Sequence, residues 1–261
     1  MPERKPRLEG KVAIVTGAGS RGPGVGNGKA AAVLFAREGA KVLVCDQVLD
    51  RASETLKIIE DEGGIASIFA VDVTDLSDCQ AMVDVAVTRY GKLDILHNNV
   101  GIDHTGTVVS SNLDEWDRVM NVNLRSMVLT SRCAIPQMVK AGGGSITNIS
   151  SVAALRPRGM DAYSTSKAAV IGLTQAMASS HAAEHVRVNC IIPGMVYTPM
   201  VAGGLTPEGR EARWKSTPLQ TEGTAWDIGW AAVFLNSDEA RWITGVALPV
   251  DGGALLTRRS W

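Results

Sequence analysis

The stretch KVAIVTGAGSRGPGVGNG, residues 11–28, decides the fold of this chain. Its first six residues form a short apolar run, which is typical of a buried parallel strand. A glycine-rich loop follows, and residues 29–38 are alanine-rich with a helical pattern that ends at Gly39. Backbone N–H groups of such a loop and helix N-terminus can hold a pyrophosphate, and glycines allow the close approach. The stretch therefore predicts a nucleotide-binding strand–loop–helix unit.

Apolar runs and helical patterns alternate along the rest of the chain. Further strands are predicted at 41–46, 66–71, 93–97, 145–149, 186–192 and 244–250. Further helices are predicted at 50–62, from a cap at Thr74 or Asp75 to Tyr90, and at 113–137, 161–183 and 224–235. This alternation predicts an α/β protein with a Rossmann-type doubly wound sheet of about seven parallel strands, helices on both faces, and a single domain. The segment at 193–222 is predicted to be a long irregular stretch with a substrate lid at about 194–222.

The composition is that of a globular protein without an overall basic field. Of 261 residues, 45% are hydrophobic and 20% charged, and the net charge is −1. These values argue against disorder and against nucleic acid as a partner. The four cysteines form no CxxC pair, so neither a zinc site nor a disulfide framework is expected. No secretory signal or membrane-length apolar run is visible, and we expect a cytoplasmic protein without a metal or a membrane partner.

Asp46 ends the second predicted strand, beside the predicted nucleotide site. A carboxylate there can accept hydrogen bonds from the adenosine ribose of NAD and would repel the 2′-phosphate of NADP. Arg21, in the glycine-rich loop, is the residue that favours NADP instead. An aspartate at a strand end can also be simply solvated. NAD is the predicted cofactor, with NADP as the less favoured alternative.

Tyr163 and Lys167 lie four residues apart and would share one face of a helix. A nearby ammonium favours the phenolate and would lower the pKa of the tyrosine toward neutral pH. A phenol with such a pKa can act as a general acid or base. Taken alone, the five residues are more typical of an ordinary exposed helical turn.

Several motifs of the chain follow one another in the order found in one enzyme family. They are Thr16-Gly17 with the glycine loop, Asp72-Val73, Asn98-Asn99-Val100-Gly101, Asn123, Ser151, Tyr163-x-x-x-Lys167 and Pro193-Gly194. Together, and at nearly the family's spacings, they resemble the short-chain dehydrogenases/reductases across essentially the whole chain. The resemblance implies an NAD(P)-binding enzyme that transfers hydride between a nicotinamide cofactor and an alcohol or ketone.

The resemblance also implies a role for each of four catalytic side chains. Tyr163 would exchange a proton with the substrate oxygen, and Lys167 would lower the pKa of Tyr163 and hold the nicotinamide ribose. Ser151 would hydrogen-bond the substrate oxygen, with Ser150 as the alternative. Asn123 would hold a water that relays protons to Lys167.

A larger set of residues would border the cofactor. The set comprises Gly17, Gly19, Ser20, Gly26, Asn27, Gly28, Asp46, Asp72, Val73, Asn99, Val100, Gly101, Tyr163, Lys167, Pro193, Gly194, Val196 and Thr198. Three features depart from the family pattern. The glycine loop is longer by an extra turn at 21–25, Val100 replaces an alanine, and the loop between Ser151 and Tyr163 is shorter by one residue.

The leading functional hypothesis is an NAD-linked secondary-alcohol dehydrogenase or ketone reductase acting on a small molecule. The alternatives are an NADP-linked reductase of carrier-bound 3-oxoacyl groups and a non-catalytic NAD-sensing protein. Substrate contacts are expected around His104, at 153–161 and at 195–221. The basic residues in or near these segments are either solvated or bind an anionic substrate, and they are Arg156, Arg158, Arg210, Arg213 and Lys215. By family analogy, helices 113–137 and 161–183 would assemble a homotetramer.

Overall fold

One parallel sheet organises the computed structural model, which describes residues 5–257. Its strands are β1 Val12–Thr16, β2 Lys41–Asp46, β3 Ile65–Ala70, β4 Ile95–Asn98, β5 Gly144–Ile149, β6 Val186–Pro193 and β7 Ala247–Val250. They lie in the order β3-β2-β1-β4-β5-β6-β7, and every neighbouring pair is parallel. The chain builds outward from β1 to β3 and then returns to β4 on the other side of β1. This reversal opens a crevice at the carboxyl ends of β1 and β4, and it confirms the predicted doubly wound α/β fold.

The strands are connected by helices that cover both faces of the sheet. The helices are α1 Asn27–Arg37, α2 Leu49–Asp61, α3 Leu76–Tyr90, α4 Leu113–Met120, α5 Ser126–Lys140, α6 Asp161–His181, α7 Pro199–Ala202, α8 Pro207–Lys215 and α9 Ala225–Asn236. Of the two predicted caps of α3, Asp75 is the one in place, because its carboxylate accepts from the backbone N–H groups of Ser77 and Asp78. Gly91 ends the same helix with φ of 88°, a conformation that favours glycine.

Two predictions about helices were wrong in detail. The helix predicted at 113–137 is divided by a π-helical turn, Asn121–Arg125, and continues to Lys140. The stretch predicted to be irregular at 193–222 contains α7 and α8. Thr206 caps α8 and Pro207 occupies its first turn, but none of its residues is buried. Because α8 lacks an apolar face, it carries no hydrophobic periodicity that could reveal it in the sequence.

Each face of the sheet carries its own apolar layer. On one face α1 and α9 pack closely, since a Cβ on Gly229 would lie 2.7 Å from Leu34 Cδ1 and 3.3 Å from Ala30 backbone atoms. On the other face α3, α5 and α6 bury side chains such as Met82, Met138 and Met177 against the strands. These two layers fix the sheet, and with it the positions of the loops at its carboxyl edge. Among residues 5–257, no helix is long and apolar enough to cross a membrane.

Candidate active site and cofactor crevice

A cavity of about 1260 Å³ lies along the carboxyl edge of the sheet. Loops that follow β1 to β6 line it, together with the N-terminal part of α6. Every residue predicted to border a cofactor lines this cavity, as do Ser150 and Ser151. Asn123 is the exception among the predicted catalytic residues, because it lies behind the cavity wall. The position and volume of the cavity suit an extended ligand that crosses the switch point of the sheet.

The N-terminus of α1 opens into the cavity without a side-chain cap. Its N-cap is Gly26, whose backbone N–H donates to Ser20 Oγ at 3.1 Å. Asn27 Oδ1 is buried without a hydrogen-bond partner in residues 5–257, and an amide turned over would present its NH₂ group there. Uncapped backbone N–H groups, an adaptable amide and the positive end of the helix dipole fit a pyrophosphate.

The glycines of this loop differ in what they are needed for. A Cβ on Gly28 would lie 2.2 Å from the carbonyl oxygen of Gly17 and 2.5 Å from Asn99 Nδ2. A Cβ on Gly26 would meet nothing closer than Ser20 Oγ, at 3.5 Å. Gly28 is therefore required by the contact between α1 and the loop after β1, whereas Gly26 faces open space beside the cavity.

The extra turn at 21–25 is largely exposed, and its first residue reaches across the crevice. Arg21 Nη2 donates to the carbonyl oxygen of Gly101 at 3.1 Å, which ties the loop after β1 to the loop after β4. A Cβ on Gly24 would lie 3.6 Å from Pro199 Cγ, so the turn also approaches α7. Arg21 is thus engaged at the centre of the crevice and not beside Asp46.

Asp46 is held in a fixed orientation at one end of the cavity. Its Oδ2 accepts from the backbone N–H of Gly19 at 3.1 Å and its Oδ1 from that of Val48 at 3.0 Å. Gln47 and Arg51 line the cavity beside it and were missed by the sequence reasoning. Arg51 lies five residues after Asp46 in the first turn of α2, and this spacing is the signal that could have revealed it.

Asn99 joins the loops that follow β1 and β4. Its Nδ2 donates to the carbonyl oxygen of Gly17 at 3.0 Å, and its backbone N–H donates to Thr16 Oγ1 at 3.2 Å. Thr16 in turn donates to the carbonyl oxygen of His97 at 3.2 Å. These bonds hold the two loops of the switch point in register and leave the Asn99 side chain on the cavity wall.

Ser151 and Tyr163 meet at the other end of the cavity from Asp46. Burial raises the pKa of Tyr163 above its ordinary value, and the negative charge of Asp103 raises it further. A hydrogen bond from Ser151 stabilises the phenolate and so lowers this pKa, but by less than burial raises it. The predicted lowering of this pKa by Lys167 is therefore wrong for the isolated chain. The reason is geometric, because Lys167 Nζ donates to the carbonyl oxygen of Ile149 at 2.9 Å and lies 5.7 Å from the centre of the Tyr163 ring.

Lys167 is buried at the base of the site. Burial lowers the pKa of its ammonium to about 8, and the neighbouring Cys190 thiol acts in the opposite direction. A Cβ on Gly101 would lie 3.1 Å from Lys167 Nζ and 3.5 Å from Asn123 Oδ1. Gly101 thus gives both side chains the room to approach the crevice from behind.

The two serines after β5 have different partners. Ser150 Oγ donates to the carbonyl oxygen of Lys167 at 2.7 Å, so its hydroxyl hydrogen is committed to the backbone of α6. Ser151 Oγ accepts from the backbone N–H of Ala153 at 3.2 Å, which leaves its hydroxyl hydrogen free to donate into the cavity. This arrangement supports the choice of Ser151 over Ser150 as the substrate-facing hydroxyl.

Asn123 lies in the π-helical turn, where its side chain is saturated by protein groups. Its Oδ1 accepts from the backbone N–H of Ile102 at 2.8 Å, and its Nδ2 donates to the carbonyl oxygen of Ile102 at 2.9 Å and to Ser166 Oγ at 3.0 Å. These bonds fasten the loop after β4 to α6. The proposed proton relay through Asn123 stays a prediction.

The substrate segments predicted from the sequence contribute to the cavity unevenly. Ile102 and Asp103 line it, whereas His104 does not. The turn after β7 also contributes, through Ala254, Leu255 and Thr257, which the sequence reasoning missed. Gly194 packs against that turn so closely that a Cβ would lie 2.5 Å from Asp251 Cα. Within residues 5–257, no group of three or more His, Cys, Asp or Glu side chains is placed to hold a metal ion.

Known proteins resemble this chain along nearly its whole length. The model of the enoyl-(acyl carrier protein) reductase family matches residues 24–254. The chain is 36% identical over 251 residues to the 3-oxoacyl-[acyl-carrier-protein] reductase FabG of Thermotoga maritima, covering 96% of this chain and 100% of that protein. It is 39% identical over 248 residues to the 2,5-dichloro-2,5-cyclohexadiene-1,4-diol dehydrogenase LinX of Sphingobium indicum, covering 95% of this chain and 97% of LinX.

A solved structure of a related enzyme has a similar fold. The chain superimposes with a TM-score of 0.89 and 37% identity on a 7α-hydroxysteroid dehydrogenase in complex with NADH and 7-oxo glycochenodeoxycholic acid. The match covers 95% of this chain and 96% of the other. The likeness therefore covers nearly the whole length of both chains.

Proposed function

The chain belongs to the short-chain dehydrogenase/reductase family and is an oxidoreductase, and on this premise we propose that it interconverts a secondary alcohol and a ketone with NAD(H). The observation that carries the proposal is the meeting of Ser151, Tyr163 and Lys167 at one end of a cavity whose other end holds Asp46. The relatives named above as dehydrogenases or reductases of alcohols and ketones support the reaction class.

The chain's own residues account for the movement of the proton. A bound nicotinamide dinucleotide supplies the hydride chemistry. Tyr163 donates its proton to the oxygen of a ketone as that oxygen gains negative charge, and it recovers the proton from the alcohol in the other direction. Ser151 donates a second hydrogen bond to the same oxygen, which stabilises the developing charge. Because burial raises the pKa of Tyr163, the phenol is protonated at neutral pH, which favours ketone reduction there and alcohol oxidation at higher pH.

Asp46 supports NAD as the cofactor. Its carboxylate is fixed by two backbone N–H groups and lies on the cavity wall. A fixed carboxylate accepts hydrogen bonds from a ribose diol and repels a 2′-phosphate. The uncapped N-terminus of α1 is the complementary feature for the pyrophosphate.

The alternative is an NADP-linked reductase of carrier-bound 3-oxoacyl groups, and one observation favours it. Arg51 lines the cavity beside Asp46, and its guanidinium is suited to a 2′-phosphate. The likeness to FabG of Thermotoga maritima points the same way. Initial rates with NADH and NADPH on one panel of ketones separate the two readings. A clear preference for NADPH, lost in Arg51→Gln, would replace our cofactor assignment.

Tyr163→Phe tests the mechanism. We expect turnover to fall by about 10²–10⁴-fold, because the proton donor is removed, while NADH binding measured by fluorescence is retained. Tyr90→Phe is the matched control, since Tyr90 donates to Ser67 Oγ at 2.8 Å far along the chain from the site. A Tyr163→Phe enzyme with full turnover would refute the mechanism.

Assembly and location complete the proposal. We infer a homotetramer in the cytoplasm, with a small molecule as substrate. Apolar side chains exposed on the helices of the predicted interfaces support assembly, among them Leu113 at 76% and Val128 at 42% exposure. All four cysteines are buried and free, which suits a reducing compartment. The segment at 194–222 is proposed as the substrate lid.

A further inference from the structure

The basic side chains at the substrate end of the cavity are not equivalent. Arg156 lines the cavity but is committed to the turn after β7. Its guanidinium donates to the carbonyl oxygens of Ala254 and Leu255, each at 2.7 Å, and also to Thr257. It therefore serves as a tie between two segments and has few donors left for a ligand.

Two other basic residues of the same region are paired with carboxylates. Arg210 donates from Nε to Glu222 at 2.6 Å and stacks over the ring of Tyr197 at 3.7 Å. Lys215 lies 2.5 Å from Glu211 on the same face of α8. Neither lines the cavity, so both charges are satisfied at the protein surface.

Arg158 and Arg213 are different, because both line the cavity and neither has a hydrogen-bond or ion-pair partner in residues 5–257. Arg158 is exposed and Arg213 half-buried where they line it. Burial lowers the pKa of Arg213 below its ordinary value, and repulsion by the charge of Arg158 lowers it further. Two positive charges that line one cavity, without a partner in residues 5–257, attract an anion that can reach both.

The backbone on each side of Arg158 is anchored. It lies between Ser151 and Tyr163, so its loop borders the reactive end of the site. The backbone N–H of Gly106 donates to the carbonyl oxygen of Gly159 at 2.9 Å, and that of Asp161 donates to the carbonyl oxygen of Gly106 at 3.0 Å. Arg156, two residues earlier, is fixed to the turn after β7.

The helix that carries Arg213 is capped locally at both ends. Thr206 Oγ1 accepts from the backbone N–H of Gly209 at 3.1 Å at its start. At its end, the backbone N–H of Thr217 donates to the carbonyl oxygen of Trp214 at 3.1 Å. Arg158 and Arg213 thus extend from two segments, distant in the sequence, toward one cavity.

We propose that Arg158 and Arg213 together bind an anionic group of the substrate, a carboxylate, sulfonate or phosphate, at the end of the molecule away from the reacting carbon. This inference rests on the proposed function and adds the substrate class to it. Asp103 supports the orientation, because its negative charge acts on Tyr163 and so disfavours an anion at the reactive end. The substrate is then an acidic secondary alcohol or ketone whose charge sets which end meets Tyr163.

The test compares (ω−1)-hydroxy carboxylates of increasing chain length with their methyl esters as substrates for NAD⁺ reduction. For wild-type enzyme we expect kcat/KM for the best carboxylate to exceed that of its ester. Arg158→Gln and Arg213→Gln should each lower kcat/KM for the carboxylate by about 10–100-fold, since each removes a charge-assisted contact. Each should change kcat/KM for the ester by less than about threefold.

Matched variants separate specific binding from general loss of charge. Lys215→Gln removes one positive charge from the same helix outside the cavity. It should leave kcat/KM unchanged for both the carboxylate and the ester. Arg213→Lys keeps the charge but loses the planar fork and should recover only part of the carboxylate activity. Equal kcat/KM for acid and ester in the wild type, or equal losses for both in the arginine variants, would overturn the proposal.

A binding measurement keeps this proposal distinguishable from the proposed function. Hexanesulfonate and hexanoate should raise the melting temperature of wild type and Lys215→Gln in the presence of NADH, while hexanamide should not. Arg158→Gln and Arg213→Gln should abolish the shift. If no alcohol is oxidised with either dinucleotide, the proposed function fails, and this shift alone then decides the anion site. No shift in the wild type, or an equal shift in the arginine variants, would refute that site.

Discussion

The crevice has two halves that are built in different ways. The cofactor half consists of the loops directly after β1 to β4, and its contacts are short hydrogen bonds between backbone and small polar side chains, such as that from Asn99 to Gly17. The substrate half consists of the segments at 152–160 and 195–222, and its contacts are made by long side chains such as Arg156, which reaches the turn after β7. The cofactor half is thus fixed by the sheet, whereas the substrate half is fixed by a few side-chain ties.

The largest effect is expected on turnover, when Ser151 and Ser150 are each replaced by alanine. Ser151→Ala should lower turnover by about 10²–10³-fold, because it removes a hydrogen bond to the reacting oxygen. Ser150→Ala removes the bond to the carbonyl oxygen of Lys167. It should lower the melting temperature and leave the turnover close to that of the wild type. Steady-state kinetics of both variants are the measurement. A reversed order would assign the substrate-facing role to Ser150.

The two glycines at the start of α1 test the cofactor half. Gly28→Ala should lower the free energy of unfolding by about 1–3 kcal/mol, because its Cβ would overlap the Gly17 carbonyl oxygen. Gly26→Ala should leave the free energy of unfolding within about 0.5 kcal/mol, since φ at Gly26 is −86° and space is open. It should instead weaken NADH binding. Denaturant unfolding and NADH titration of both variants are the checks, and equal stability losses would contradict the distinction.

His97 is fully buried at the end of β4, beneath the cofactor half of the crevice. We expect it to make the stability of the protein sensitive to acid. Burial without a hydrogen-bond partner in the described part of the chain lowers its pKa to about 3, from 6.5. Its contribution to stability is therefore full above pH 6.5 and is lost as the pH falls toward 3, because the unfolded chain binds the proton first. At pH 5 the loss amounts to about 2 kcal/mol.

Thermal unfolding at pH 7.5 and pH 5 of wild type and His97→Leu measures this effect. The variant should lose less stability on acidification than the wild type. His181→Gln is the control, because His181 is on the surface beside Glu184, at 2.6 Å. An identical acid response in wild type and His97→Leu would show that His97 is not the group responsible.

The smallest effect concerns cofactor choice at Asp46. Asp46→Ser should lower the preference for NADH over NADPH by about tenfold, since it removes both a ribose acceptor and a charge that repels phosphate. The ratio of kcat/KM values with the two dinucleotides on one ketone is the measurement. An unchanged ratio would indicate that Arg51, not Asp46, governs the choice at this end of the cavity.

The sequence was informative where function follows from position along a strand. The residues at the ends of β1, β2 and β4 could be predicted because parallel strands bring their carboxyl ends to one edge. Arg51, α8 and the turn at 254–257 could not, because each reaches the cavity through packing between segments distant in the sequence. The pKa of Tyr163 was predicted in the wrong direction, since the four-residue spacing to Lys167 says nothing about burial or about the bond from Lys167 to Ile149.

The residues expected at the reactive end came from the resemblance to a known family. By itself the sequence pattern determined the order of strands and helices and the loop that suits a pyrophosphate. These follow from local periodicity, from glycine at close approaches and from the common edge of parallel strands. Only the tertiary structure decided which of the arginines near the substrate are satisfied and which are not, with Arg156 and Arg210 paired and Arg158 and Arg213 left facing the cavity. The physical reason is that the neighbours of a charge in space decide whether it is paired. Those neighbours come from parts of the chain that only folding brings together.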